Sequence, residues 1–148
     1  MARKKTERST DFETIKKAAL YVRVSTKYQV DKDSLPFQRK KLKEYCKMLD
    51  IHKYEIFEDD GYSAKNTERP RFQEMMNRIR GSEFTHLIVW KVDRISRNLL
   101  DFSTMYKELK DHRVTFISMN EQFDTSTAIG EAMLKIILIF AELERNMT

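Results

Sequence analysis

The sequence predicts an α/β fold: a central, mainly parallel β-sheet of four or five strands flanked by helices. Three observations carry that expectation. Short apolar runs alternate along the chain with segments whose apolar residues recur at helical spacing. One run, "HLIVWKV" at 86–92, has the composition of a parallel strand buried on both faces. Polar residues follow the runs directly, at Ser25, Asp59, Asp93 and Asn120, on the sheet edge where open α/β folds place their sites.

Taken in order, residues 1–15 are polar and aperiodic and read as a flexible basic arm. Residues 18–24 form the first strand, within "AALYVRVST". Arg23 stands there two residues before Ser25. Burying a guanidinium without partners costs more than a strand gains, so Arg23 either faces water or serves a strand end built to hold an anion. A helix begins near Ser34, an N-cap residue with Pro36 in the first turn and a stripe of Leu35, Leu42, Tyr45 and Leu49. "YEIFED" at 54–59 is a second strand, running into the turn-rich "DGYSAKNTERP".

Pro70 then opens a helix whose Phe72, Met75, Met76 and Ile79 follow the i, i+3, i+4, i+7 pattern, with Gly81 expected at C′. A third strand occupies 86–92. The next helix starts near Asn98, with Leu99, Phe102, Tyr106 and Leu109 on one side. "VTFISMN" at 114–120 is a fourth strand, and a polar turn with Asp124, Thr125 and Ser126 precedes a last helix from about Ala128.

These elements suggest an α/β domain over 16–127 and the start of a long helix over 128–148. From Ala132 to Leu143 only Lys135 and Glu142 interrupt that helix's apolar run. A helix apolar all round must be covered all round. One flank docks on the sheet; the other is expected to form a subunit interface through Met133, Ile136, Ile137, Phe140, Leu143 and Glu144.

Of the net charge of +5, Arg3, Lys4, Lys5, Arg8 and Glu7 contribute +3, leaving +2 for residues 11–148. Overall charge is therefore a weak sign of nucleic-acid binding. Cys46 is the single cysteine, which excludes an internal disulfide and a multi-cysteine metal site and suits a reducing cytoplasm. No run approaches the roughly 20 apolar residues of a membrane span, and no leader pattern is present.

With three glycines the chain holds neither GxxxxGK[ST] nor GxGxxG. His52, His86 and His112 lack paired spacing, and Ser25 lacks a G-x-S-x-G elbow. What remains is Arg, Ser and Asp at strand exits. In "WKVDRISRN", Arg94 and Arg97 are three apart and would share a helical face. Asp93 as a simple N-cap is the plainer reading of that stretch alone. Together with Arg23, however, these guanidiniums would converge on one anion, and their planar forks suit phosphate.

"YVRVSTKYQ", "SLPFQRKKL", "DGYSAKNTERP", "KVDRISRN" and "FAELERN" resemble, in order and spacing, the signature blocks of the serine recombinases. The longer middle turn is more similar to large serine recombinases, the phage integrases and mobile-element transposases, than to small resolvases and invertases. The resemblance implies a resolvase-like catalytic domain that ends in a long interface helix. It also implies DNA strand exchange through a 5′-phosphoserine bond, in integration or excision of a mobile element.

Position by position, it makes Ser25 the nucleophile and Tyr21 and Arg23 its upstream partners. Gln29 and Gln38 are supporting polar residues. Asp59, Ser63 and Arg69 form the middle block, Asp93, Arg94 and Arg97 the third, and Glu144 and Arg145 the start of a basic continuation. Arg23, Arg69, Arg94, Arg97 and Arg145 are the implied DNA contacts. No cofactor and no metal are expected, and ATP is not needed.

The implied partners are double-stranded recombination-site DNA and a second copy, with a synaptic homotetramer, in a bacterial or phage-infected cytoplasm near the nucleoid. On this reading the chain is a catalytic segment whose DNA-reading domains lie beyond Thr148. Two other classes remain open. One is a metal-dependent nuclease using Asp59, Asp60, Asp93 and Asp124; the other is a non-enzymatic flavodoxin- or receiver-like interaction module.

Overall fold

The computed structural model describes residues 15–24, 34–60, 69–92, 95 and 99–147. Its elements are β1 (Lys17–Val24), α1 (Leu35–Met48), β2 (Lys53–Asp60), α2 (Pro70–Arg80), β3 (His86–Val89), α3 (Leu99–Asp111), β4 (Thr115–Ser118), β5 (Phe123–Asp124) and α4 (Ala128–Met147). The sheet order is β2-β1-β3-β4-β5, with parallel pairing throughout except for β5, which runs antiparallel to β4.

Side-chain alternation along β1 builds two cores, one on each face of the sheet. Ala18, Leu20 and Val22 pack with Leu42, Cys46 and Ile51 on the α1 side, joined by Ile88 and Ile117. Ala19 and Tyr21 face the other way, into a larger core with Phe57, Met75, Met76, Ile79, Phe102, Leu109, Phe116 and Leu134. β1 is thus apolar on both faces, as a central parallel strand must be.

Ser34 caps α1, its hydroxyl accepting the Phe37 N–H at 3.4 Å, and Pro36 lies in the first turn. Three helices end in the same way. The left-handed residue after the helix is Asp50 (φ 62°), Ser82 (φ 62°) or Arg113 (φ 58°), and the next N–H returns to a carbonyl five residues back: Ile51 to Cys46, Glu83 to Arg78, Val114 to Leu109. In two cases the closing pair is apolar and buried; in the third it is the Arg78–Glu83 ion pair. Gly81 has φ −82°, so the C′ position expected of it belongs to Ser82 instead.

Two strand expectations also need correction. β3 stops at Val89 rather than Val92, because the chain bends at Trp90 and closes a turn through Ile95 N–H to the Val92 carbonyl, 3.0 Å. The expected polar turn at Asp124 instead contains a fifth, two-residue strand. Its register is held by Thr125, whose hydroxyl accepts the Phe116 N–H at 2.8 Å.

On α4, Leu134 is buried and Ile137 half-buried, whereas Met133, Ile136, Phe140 and Leu143 are 43–59% exposed. Ile129 and Ile139 extend the same uncovered apolar surface. One flank docks on the larger core through Leu134, and the other is exposed in the single chain.

Candidate active site

The C-terminal end of β1 carries a cluster of buried polar residues, Arg23, Gln38 and Asp59. Arg23 is opposite Asp59 in the β1–β2 register, and both are at least nine-tenths buried. Tyr21, two residues earlier on the same face, donates its phenol hydrogen to Asp59 Oδ2 at 2.9 Å. The same carboxylate accepts the backbone N–H groups of Arg71 (Oδ1, 3.1 Å) and Phe72 (Oδ2, 2.9 Å).

Those are unsatisfied donors of the first turn of α2. The residue in the cap position, Arg69, makes no side-chain capping bond. Asp59 thus caps a helix from a neighbouring strand and places a negative charge at its positive end.

Arg69 completes the cluster from the start of α2. Its guanidinium lies 4.0 Å from the centroid of Phe72 and 5.7 Å from that of Tyr21, and Nη1 donates to the Ile95 carbonyl at 2.7 Å. Burial foremost holds the Tyr21 phenol well above its ordinary range. The positive charges of Arg69 and Arg23 oppose the shift and the Asp59 carboxylate reinforces it. Tyr21 therefore remains a protonated donor locked onto Asp59, unsuited to act as a nucleophile.

Gln38 has a different task. Its Nε2 donates to the Arg23 carbonyl at 3.0 Å while its Oε1 accepts the Arg23 N–H at 3.3 Å. The β1–β3 ladder ends at Tyr21 opposite Val89, so from Arg23 onward β1 lacks a strand partner on that side. The fully buried Gln38 amide supplies the next rung and fixes the backbone two residues before Ser25.

The structure therefore brings together Tyr21, Arg23, Gln38, Asp59 and Arg69. Ser25, Gln29, Ser63, Asp93, Arg94 and Arg97 lie outside the described residues, as do the side chains of Glu144 and Arg145. Two positions missed in the sequence matter here. Glu121 touches the Val92 backbone, and Gly130 sits against Asp124. A strand-exit position was the only sequence signal for Glu121, and no motif marks Gly130.

Asp59 and Asp124 stand on β2 and β5, opposite edges of the sheet and four strand spacings apart, roughly 19 Å. They cannot share a metal ion, so the four carboxylates of the nuclease alternative cannot act as one ligand set. None of His52, His86 and His112 joins the cluster: His52 pairs with exposed Asp50, His86 with Thr85, and His112 with the Glu108 carbonyl.

Replacing Asp59 with Ala should lower stability by about 3–5 kcal/mol, since it strands three donors, the Tyr21 hydroxyl and the Arg71 and Phe72 N–H groups, and removes the negative charge at the start of α2. Asp59→Asn should lose less, because one acceptor oxygen remains. Urea unfolding measures both; a loss below about 1 kcal/mol for Ala would show that the carboxylate does not hold the helix start.

The model of the resolvase N-terminal domain family matches residues 18–148. A DNA-invertase of Enterobacteria phage P7 is 34% identical over 128 residues, covering 86% of this chain and 61% of that protein. The transposon Tn917 resolvase of Enterococcus faecalis is 35% identical over 130 residues, covering 86% and 62%. The chain thus spans about three-fifths of the length of these relatives. Among solved structures, the N-terminal catalytic domain of TP901-1 integrase superposes with a TM-score of 0.80 at 34% identity, covering 89% of this chain and 98% of that one. The fold, the polar cluster at the end of β1 and these three likenesses agree: the chain belongs to the resolvase N-terminal domain family.

Proposed function

We propose that this chain is the catalytic part of a site-specific DNA recombinase that cuts and rejoins DNA through Ser25, without metal or ATP. One observation supports the reading above the others: Arg23 is 95% buried at a strand end, opposite Asp59 and two residues before a serine. Burying a charge costs free energy that partners only partly return, so a phosphate-binding task gives a reason for a guanidinium in that position. The names of the relatives, invertase and resolvase, support the recombinase part of this reading.

A serine hydroxyl is a weak nucleophile near neutral pH, so the site must stabilise the transition state. Ser25 Oγ attacks the phosphorus of a backbone phosphodiester. The new bond joins phosphorus to Oγ, and the bond from phosphorus to the 3′-oxygen breaks. The serine gives up its proton to a base or solvent, and the departing 3′-oxygen takes one up. Charge gathering on the non-bridging oxygens is met by Arg23 and Arg69, with Arg94 and Arg97 joining them from the segment after β3. Asp59 keeps the arginines oriented, Tyr21 holds Asp59, and Gln38 fixes the backbone before the nucleophile. Gln29 and Ser63 are assigned supporting roles at the same centre.

Because the 5′-phosphate stays esterified to serine, the free energy of the broken bond is retained, and a 3′-hydroxyl reverses the step. Arg145 would carry DNA contacts beyond the centre. The exposed apolar face of α4 would pair two copies, with Ile137 and Glu144 assigned to the same contact, and two such dimers would form the synaptic tetramer. Mobile-element integration or excision is the setting proposed for this reaction.

The direct test incubates the full-length protein with labelled duplex recombination-site DNA and maps any protein–DNA bond by peptide mass spectrometry. The expected product is a phosphodiester on Ser25, formed equally well in EDTA. Inhibition by EDTA that Mg²⁺ reverses would replace this reading with a metal-dependent nuclease.

A further inference from the structure

The residues that follow β3 carry Asp93 and Arg94, and the described positions on either side of them are held by two distant groups. Before them, the Val92 N–H lies 3.3 Å from each oxygen of the Glu121 carboxylate. After them, the Ile95 carbonyl accepts from Arg69 Nη1 at 2.7 Å. Glu121 is itself fixed: the hydroxyl of fully buried Ser118 donates to Oε1. Its backbone follows the exit of β3 rung by rung, with Met119 N–H on the Val89 carbonyl (3.0 Å) and Asn120 N–H on the Trp90 carbonyl (2.8 Å).

We propose that Glu121 is a positioning residue of the strand-cleavage site: its carboxylate anchors the Val92 peptide and so sets where Asp93 and Arg94 begin. The inference rests on the recombinase reading given above. Its physical basis is that β3 has ended by Val89, so no sheet ladder holds the Val92 N–H. A side chain from the neighbouring strand exit takes that place, as Gln38 does for Arg23. Stabilising a phosphoryl transition state is sensitive to displacements of about 1 Å, so an anchor one residue before an arginine bears on rate.

The carboxylate accepts at both of its contacts, from an N–H and from a hydroxyl. A glutamine in its place still offers a carbonyl oxygen to Val92, and Ser118 can accept from its amide nitrogen. Alanine offers neither.

The test is single-turnover formation of the serine-linked adduct by full-length wild-type protein, Glu121→Ala and Glu121→Gln at saturating DNA. Positioning predicts a rate constant at least about 10-fold lower for Ala, an unchanged amplitude, and recovery to within about 3-fold of wild type for Gln. A wild-type rate constant in Glu121→Ala would overturn the proposal. So would a loss confined to amplitude, which is what a role in folding alone produces.

Amide hydrogen exchange of the DNA-free chain supplies an independent reading: Val92 should exchange at least about 10-fold faster in Glu121→Ala, and unchanged protection would overturn the anchor. Should wild-type protein form no adduct at all, the recombinase reading fails, and exchange at Val92 still judges the anchor.

Discussion

Ser25→Ala should abolish the covalent protein–DNA product in the full-length protein, a loss of at least about 1,000-fold, while DNA binding stays within about 2-fold of wild type. The expectation follows from the chemistry of the site. Among the described residues of the cluster, Tyr21 carries a hydroxyl, but it is fully buried and committed to Asp59, so it cannot substitute. Removing the serine oxygen removes the only atom through which the DNA phosphate is proposed to bond, whereas the arginines that attract the phosphate remain. Adduct surviving in Ser25→Ala would move the nucleophile elsewhere.

Arg23→Lys is the companion variant. An ammonium on the same strand position keeps the charge and loses the planar fork, and removing one such transition-state donor costs about 100- to 1,000-fold. Cleavage at a near wild-type rate would reassign Arg23 to a structural role.

Gly130→Ala should destabilise the fold by about 3 kcal/mol or more, although helix propensity alone argues the other way. In an unconstrained helix interior that exchange favours the helix by about 1 kcal/mol. Here a Cβ at position 130 would lie 2.0 Å from the Asp124 carbonyl oxygen and 2.7 Å from its carbon, both main-chain atoms with no rotamer to yield.

The approach is close because the first turn of α4 is bonded to β5. Thr127 Oγ1 accepts the Gly130 N–H at 3.0 Å and donates to the Asp124 carbonyl at 2.9 Å. Relief requires α4 to lift away from β5, drawing Leu134 out of the larger core. Thermal or urea unfolding reads the effect. A variant as stable as wild type, or more stable, would show that α4 does not seat on the Asp124 peptide.

The contrast between these sites shows what was legible in the chain. The strand runs, the Ser34 cap, the Pro70 helix start and the apolar stripes are patterns of near neighbours. Each follows from side-chain spacing that backbone geometry repeats every two or 3.6 residues. The unusual placement of Arg23 before Ser25 was equally visible, because a buried cation in an apolar strand violates a local rule.

Asp59 was recognised as a site residue, but its work as the missing N-cap of α2 was not, since the bond to Tyr21 spans 38 residues and that to Phe72 spans 13. Gln38 standing in for a strand, Glu121 gripping Val92 across 29 residues, and Gly130 pressed on Asp124 are of the same kind.

The end of β3 at Val89 was hidden for a related reason: "HLIVWKV" keeps its apolar character past the point where the chain bends toward Ile95. Local propensity and burial pattern were thus determined by the sequence alone. Which polar group completes which broken ladder or helix end was decided only by the tertiary structure, because an unsatisfied backbone donor accepts whichever distant oxygen the packed elements bring within about 3 Å.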